Sequence, residues 1–298
     1  MKLTNLLLLL MIPFFSFSQD DLLDLLNEME EEKTEYTTAT FKSVRIINAH
    51  SIEMPAPGVL QLIISHRFGR LNGGPYEFFG LDQANMRLGF EYGFANWLNV
   101  GVGRSNINKT YDGFIKIKFL RQSSGKRNIP FSLVGLSSIQ ANSLRWADPN
   151  RINYFSSRLS FAHQIMIARK FGERLSIQLM PTMVHRNLVE TRTEENDVFA
   201  WGAGARFKIS RSVSINAEYF HLLPGNTARN FENSLSFSFD IETGGHVFQL
   251  MFTNSLGMTE NYFVAQTTGE WQKGDIHFGF NLARVFTVDR RDRKLPKD

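Results

Sequence analysis

The stretch Ser234 to Ser255 reads SLSFSFDIETGGHVFQLMFTNS, and its reading decides the fold. Before Gly244 and Gly245 the apolar residues Leu235, Phe237, Phe239 and Ile241 hold odd positions; after them Phe248, Leu250 and Phe252 hold even ones. A period of two marks strands with two unlike faces. A two-residue turn at the glycines pairs odd positions with even ones, so Ile241 meets Phe248, Phe239 meets Leu250 and Phe237 meets Phe252 on one face. Asp240 then meets Gln249, and Ser236 meets Thr253, on the other. The phase reversal in sequence is therefore a constant face in space.

The same pattern extends outward from this hairpin. VLQLIISHRF after Val59 and QANMRLGFEYG after Gln83 alternate in the same way. Further segments are read at Leu98 to Asn106, Tyr111 to Arg121, Ile129 to Ala141, Arg158 to Lys170, Leu175 to Arg186, Val198 to Ile209, Val213 to His221 and Asp275 to Thr287. With the opening hairpin this makes about twelve segments, most of the roughly 9 to 11 residues that a tilted membrane strand needs. Short links such as FGER, SRS and GG alternate with mostly longer ones such as SLRWADPNRINYFSS and the run from Ser255 to Gly274. Short turns at one end and long loops at the other are the habit of outer-membrane barrels, with the turns in the periplasm.

The two faces differ in charge. One carries Arg67, Arg87, Glu91, Asp112, Lys116, Lys118, Arg158, Lys170, Arg186, Arg206, Lys208, Glu218, Asp240, Glu242 and Asp275, while the other repeats Phe, Leu and Ile. Aromatic residues near the strand ends, among them Phe68, Tyr92, Trp201 and Phe286, read as interfacial girdles. The expectation is an all-β, transmembrane, antiparallel up-and-down barrel of about twelve strands over residues 58–288, with those charges lining its lumen. Burying them singly would cost several kcal/mol each, so they must pair or meet water. Twelve strands lie between filled eight-stranded barrels and open porins, which leaves a narrow pore and a plugged barrel both open.

Composition narrows the remaining classes. The chain of 298 residues has no cysteine, which removes disulfides, thiolate metal sites and cysteine nucleophiles. Its start, MKLTNLLLLLMIPFFSFSQDD, is read as a secretory signal over residues 1–18, and no later run approaches the roughly 18 apolar residues of a membrane helix. Residues 19–57 are read as a periplasmic leader. Gln19 to Glu35 holds eight acidic residues against Lys33, with Leu22, Leu23, Leu25, Leu26 and Met29 at helical spacing. Export argues against nucleic acid as the partner of the basic remainder, and outer-membrane lipids are the partners expected; Gln19 to Glu35 is open to three readings, a plug for the lumen, a docking peptide for a periplasmic protein, or a solvated leader. Thr37 to Ile47, TTATFKSVRII, is a thirteenth strand-like run that an even barrel does not use; the lumen, the turn-end rim and a loop are all open to it. Residues 289–298 form a basic tail.

Little in the sequence points to catalysis, and no catalytic, cofactor-binding or metal residue is expected. GVGRSN and GAGARF complete no nucleotide loop and open no helix, so their glycines are read as facing a crowded lumen. VETRTEEND, with Glu190, Glu194, Glu195 and Asp197, lacks calcium-loop spacing. His66, His163, His185, His221 and His246 fall on the apolar phase, and His277 on the polar one. An outward histidine with a serine and an orienting amide would make a lipid hydrolase, with Ser137 the outward serine available. That is the alternative to a narrow channel, transport or docking protein.

The chain resembles the Bacteroidetes-type outer-membrane β-barrel proteins known only as a domain of unknown function. The resemblance runs through nearly the whole mature chain: DDLLDLLNE, SHRFG, FFGLDQA, VGVGRS, KTYDGF, WADP, YFSSRLS, HQIMIARKF, MPTMVHRN, AEYF, FDIETGGHVFQL, FTNSLGMTE and GDIHFGFNLARVF. It implies location and fold, and it carries over no catalytic residue.

Overall fold

The computed structural model describes residues 33–225, 231–243 and 246–289. The signal, residues 19–32 of the acidic leader, the Gly244-Gly245 link and the tail from 290 onward lie outside the described residues. The alternating segments form β2 (Val59–Arg70), β3 (Ala84–Ala95), β4 (Leu98–Ser105), β5 (Tyr111–Leu120), β7 (Ser132–Ala141), β8 (Leu159–Phe171) and β9 (Leu175–Arg186). The round is completed by β10 (Asp197–Lys208), β11 (Val213–Leu222), β12 (Ser234–Thr243), β13 (His246–Thr253) and β14 (His277–Thr287). Each strand pairs antiparallel with its neighbours, and β14 pairs with β2, from Thr287 opposite Val59 to His277 opposite Arg70, to close a twelve-stranded barrel. Closure leaves no open wall edge.

The opening hairpin takes the register expected of it. Ile241 pairs with Phe248, Phe239 with Leu250, Phe237 with Phe252, Asp240 with Gln249 and Ser236 with Thr253. Ser234, Ser236, Ser238 and Asp240 are buried inside, whereas Phe237 and Phe239 are exposed outside.

Several boundaries move by one or two residues from the sequence reading, among them the last strand, which begins at His277 and leaves Asp275 in the preceding loop; two shifts have a visible cause. The strand expected from Ile129 starts at Ser132, because Ile129 instead exchanges backbone hydrogen bonds with Ser123. Arg158 precedes β8, in a short 3-10 turn Phe155–Arg158, where its carbonyl accepts from Asn142 N–H and its guanidinium stacks on Trp146.

Thr37 to Ile47 joins no barrel strand. The preceding β1 (Thr34–Tyr36) pairs with β6 (Ser123–Gly125) at the short-turn rim. Thr37 N–H still bonds the Gln122 carbonyl there, and from Thr40 the chain turns into the lumen. Arg45 bridges antiparallel to His50, Ile46 N–H donates to Ala49 O and Ser51 N–H to Val44 O, which makes a tight hairpin with Ile47 and Asn48 at its tip. The chain then returns to the same rim, where Pro57 bridges to Gly93 before β2 begins. From the long-loop end, residues 254–276 fold inward, and their six-residue helix α1 (Glu260–Ala265) packs on β8, β9 and β11.

Candidate functional site: a plugged lumen

Polar side chains of the wall hold the hairpin largely by its backbone. Three successive N–H groups, of Ile47, Asn48 and Ala49, donate to the carboxylate of Glu218 on β11 at 3.0 to 3.3 Å. Consecutive backbone donors around one carboxylate form charge-assisted bonds, stronger than neutral ones. The carbonyls of Ile46 and Ile47 accept from Gln249 Nε2 and Asn281 Nδ2, at 2.6 and 2.9 Å. Gln178 on β9 accepts from Ile52 N–H and donates to His50 O. Lys116 donates to Glu53 O at 2.8 Å, and Arg206 to the carbonyls of Ala39 and Thr40. The hairpin thus fills the lumen as a strand fills a sheet, with side-chain amides replacing the neighbouring strand.

Its side chains complete the packing. Arg67 on β2 donates to Asn48 Oδ1 at 2.8 Å and to Asn281 Oδ1, while Asn48 Nδ2 reaches Ser236 Oγ at 3.1 Å. Phe41, Ile46, Ile47, Ala49 and Ile52 join one apolar cluster with Phe114, Met180, Phe220 and Met251 of the wall and with Phe263, Val264 and Ala265 of α1. Gly204 of GAGARF leaves the room: a Cβ there would stand 2.4 Å from Ile46 Cδ1. Gly103 of GVGRSN has a similar task, since a Cβ there would be 2.4 Å from the Arg87 guanidinium, which passes over it to reach Asp112.

The two inward pieces meet through charge. Arg45 of the hairpin lies 3.3 Å from Glu91 of β3 and 3.9 Å from Glu260 of α1, and His50 Nε2 is 3.4 Å from the same Glu260 oxygen. The other Glu260 oxygen faces Ser138 and Gln140 of β7, both at 3.4 Å.

The charges read from sequence fall into three groups. Arg67, Arg87, Glu91, Asp112, Lys116, Arg206, Glu218 and Asp240 gather inside the barrel, with Asp240 accepting from Gln249 at 2.7 Å. Arg158, Arg186 and Asp275 stand at the long-loop end, where Arg186 pairs with Glu194 at 3.1 Å. Asp275 is held by Asn72 at 2.7 Å, by Glu270 N–H and by Arg70 at 3.1 Å, and these bonds, the amide's first, draw its carboxyl below the usual range. Lys118, Lys208 and Glu242 are at the turn end; Glu242 is exposed and pairs with Lys42 at the base of the hairpin. Lys170 donates to Thr38 O there. Sequence alone placed Gln249 opposite Asp240 on the polar face but did not single out Asn48, Gln178, Asn281 or Glu260. The wall amides carried a signal, since they sit on the polar phase of their strands; Glu260 carried none, because its loop has no period.

The outward histidines scatter along the wall. Ser137 does stand opposite His163, but the flanking positions are Ile115 and Met183, so no amide orients the ring. His185 Nδ1 lies 2.6 Å from Asp197 Oδ1 at the loop end. Among the described residues no three His, Asp or Glu cluster in a metal-binding arrangement.

The burial is inverted relative to a protein in water. Charges fill the interior, while Phe90, Val102, Ile165, Leu179, Phe199, Trp201 and Phe239 stand exposed around the outside. Soluble proteins rarely show water an apolar band that encircles them, and lipid is the solvent that suits it. The family described as membrane bound beta barrel domain (DUF5777) matches residues 41–286. The chain belongs to this family. The match begins at Phe41, so the plug hairpin as well as the wall falls within the membrane bound beta barrel domain. No match was found among curated proteins. Solved structures it is similar to include the NanC porin, at 8% identity and TM-score 0.48 over 76% of this chain and 98% of that one. An outer membrane channel from Pseudomonas putida F1 gives 12% and 0.48 over 78% and 97%, and outer membrane phospholipase A from Escherichia coli gives 8% and 0.46 over 81% and 96%. A porin, a channel and a hydrolase stand side by side at these scores, and no task is drawn from them.

Proposed function

We propose that this barrel is an outer-membrane channel held shut by its own N-terminal hairpin, with bilayer lipids as the partners of its outer wall. The observation that carries the reading is the way the plug is mounted. The hairpin enters and leaves by the turn end, its tip is bonded to the wall only by wall side chains, from β2, β11, β12, β13 and β14, and no barrel strand among the described residues depends on it for pairing. It can withdraw toward the turn end without opening the wall. The polar, charge-lined surface left behind would hold water, as the lumen of a conducting barrel does. The closed antiparallel barrel and the signal-like start support the outer membrane as its place.

The test uses the absence of cysteine from the chain. Asn48 Nδ2 and Ser236 Oγ are 3.1 Å apart. The pair Asn48→Cys with Ser236→Cys should give a barrel that is silent in planar bilayers when oxidised and shows discrete openings when reduced. Silence in both states, in wild type and after deletion of the hairpin, would end the channel reading.

A further inference from the structure

At the long-loop end, above α1 and beside the charge contact of Glu260, lies a cavity of about 550 Å3, within the roughly 300 to 1,000 Å3 of small-molecule sites. Its lining is unusual for such a site in being rich in amides. Asn142, just past β7, and Asn261 and Gln266 of the inward loop bring amides to it beside Gln140, whose own amide is taken by Glu260 and Thr259, with Trp146 and Tyr262 as the aromatic surfaces. The lining is held in place from behind. Tyr262 OH is fixed by Asn108 Nδ2 at 2.9 Å and Thr110 Oγ1 at 3.1 Å, and Asn261 Oδ1 takes Gln266 Nε2, leaving one donor and one acceptor side by side. Two of the three arginines in the lining are engaged: Arg158 stacks 3.7 Å over Trp146 and donates to Asn142 O, and Arg186 pairs with Glu194, while Arg145 is exposed to solvent.

We propose that this vestibule binds a short oligosaccharide. A ligand entering an amide-lined cavity must replace every hydrogen bond to water that it displaces, since a buried polar group left unmet keeps its full desolvation penalty. Vicinal hydroxyls offer paired donors and acceptors at the spacing of a carboxamide, and the C–H face of a sugar ring suits an aromatic plane. A phosphate or sulfate would call for several cations without partners; Arg158 and Arg186 have theirs, which leaves the exposed Arg145 alone.

The site is tested on the full-length protein in a detergent without a sugar headgroup, by calorimetry with maltotriose, chitotriose and cellotriose. At least one should bind with a millimolar or tighter Kd, and Trp146→Ala and Asn261→Ala should each weaken it roughly tenfold or more, equivalent to about 1.4 kcal/mol. Heat-modifiable gel migration identifies variants whose barrel is intact. No binding by any of the three sugars, or binding unchanged in both intact variants, overturns the proposal. The oxidised Asn48→Cys, Ser236→Cys barrel should bind as wild type does. Binding without current therefore counts against the gate alone, and current without binding counts against this site alone.

Discussion

The two pieces that fill the lumen share one apolar cluster but differ in how many wall side chains clasp their backbone. The hairpin from the turn end adds to its apolar contacts a set of hydrogen bonds from wall side chains to its backbone, with Glu218, Gln178, Gln249 and Asn281 as the chief partners. Helix α1 from the loop end is held mainly by packing, with Phe263, Val264 and Ala265 in the apolar cluster and Phe263 tilted against Phe220 at 5.3 Å. Packing weakens in proportion to the apolar surface uncovered, whereas a buried polar clasp fails at once when a partner goes, because the orphaned group pays its full desolvation cost. A segment meant to leave as a unit is better held by the second kind. The hairpin has that character, and α1 has the character of a permanent lining.

Removing the clasp is expected to have the largest effect. Glu218→Ala strips the acceptor from three N–H groups at about 1–3 kcal/mol each. The hairpin should then be withdrawn most of the time, seen as frequent openings in bilayers and as fast maleimide labelling of Asn48→Cys in the same background. If Asn48→Cys stays unlabelled after Glu218→Ala, the hairpin is a permanent part of the core and the contrast with α1 disappears. Phe263→Ala should cost less in function. The buried apolar surface it removes is worth about 3–5 kcal/mol in a well-packed core and less where the loop can collapse into the gap. It should loosen residues 254–276 to protease while leaving Asn48→Cys as slow to label as in wild type. Equal labelling in the two backgrounds would show that hairpin and helix move as one body through Glu260.

The difference between the two pieces also explains what could be read from sequence. The barrel was legible because each strand repeats one instruction at every second residue, and a register such as Phe239 opposite Leu250 follows from a two-residue turn. The inward phase was legible too, down to Glu218 and Lys116. The partners were not, since Glu218 is engaged by the backbone of residues 47–49, and backbone leaves no mark in a sequence. TTATFKSVRII reads as a strand and pairs with none of the wall, because a hairpin enclosed by amides on all sides needs no period of its own. The glycines of GAGARF and GVGRSN pointed to a crowded lumen, and the occupants are Ile46 for the one and the reach of Arg87 for the other.

The smallest expected effect comes from pH, and it separates the two pieces again. The loop that carries α1 is tied down at its far end by Asp275, whose carboxylate takes bonds from Asn72 and Glu270 N–H beside Arg70 and sits at the edge of solvent. Its folded pKa is depressed, so the tie is fully present above the ordinary carboxylate range and is lost as pH falls through the depressed value. Acid should therefore loosen this loop first, and raising the pH from neutral should do nothing. Trp271, whose indole N–H donates to Leu235 O at 3.0 Å in the same loop, reports the change through its emission. The titration should vanish in Asp275→Asn, which keeps the size of the side chain without its charge. An acid transition that survives in Asp275→Asn would place the sensitive group elsewhere and leave the loop as firmly seated as the hairpin.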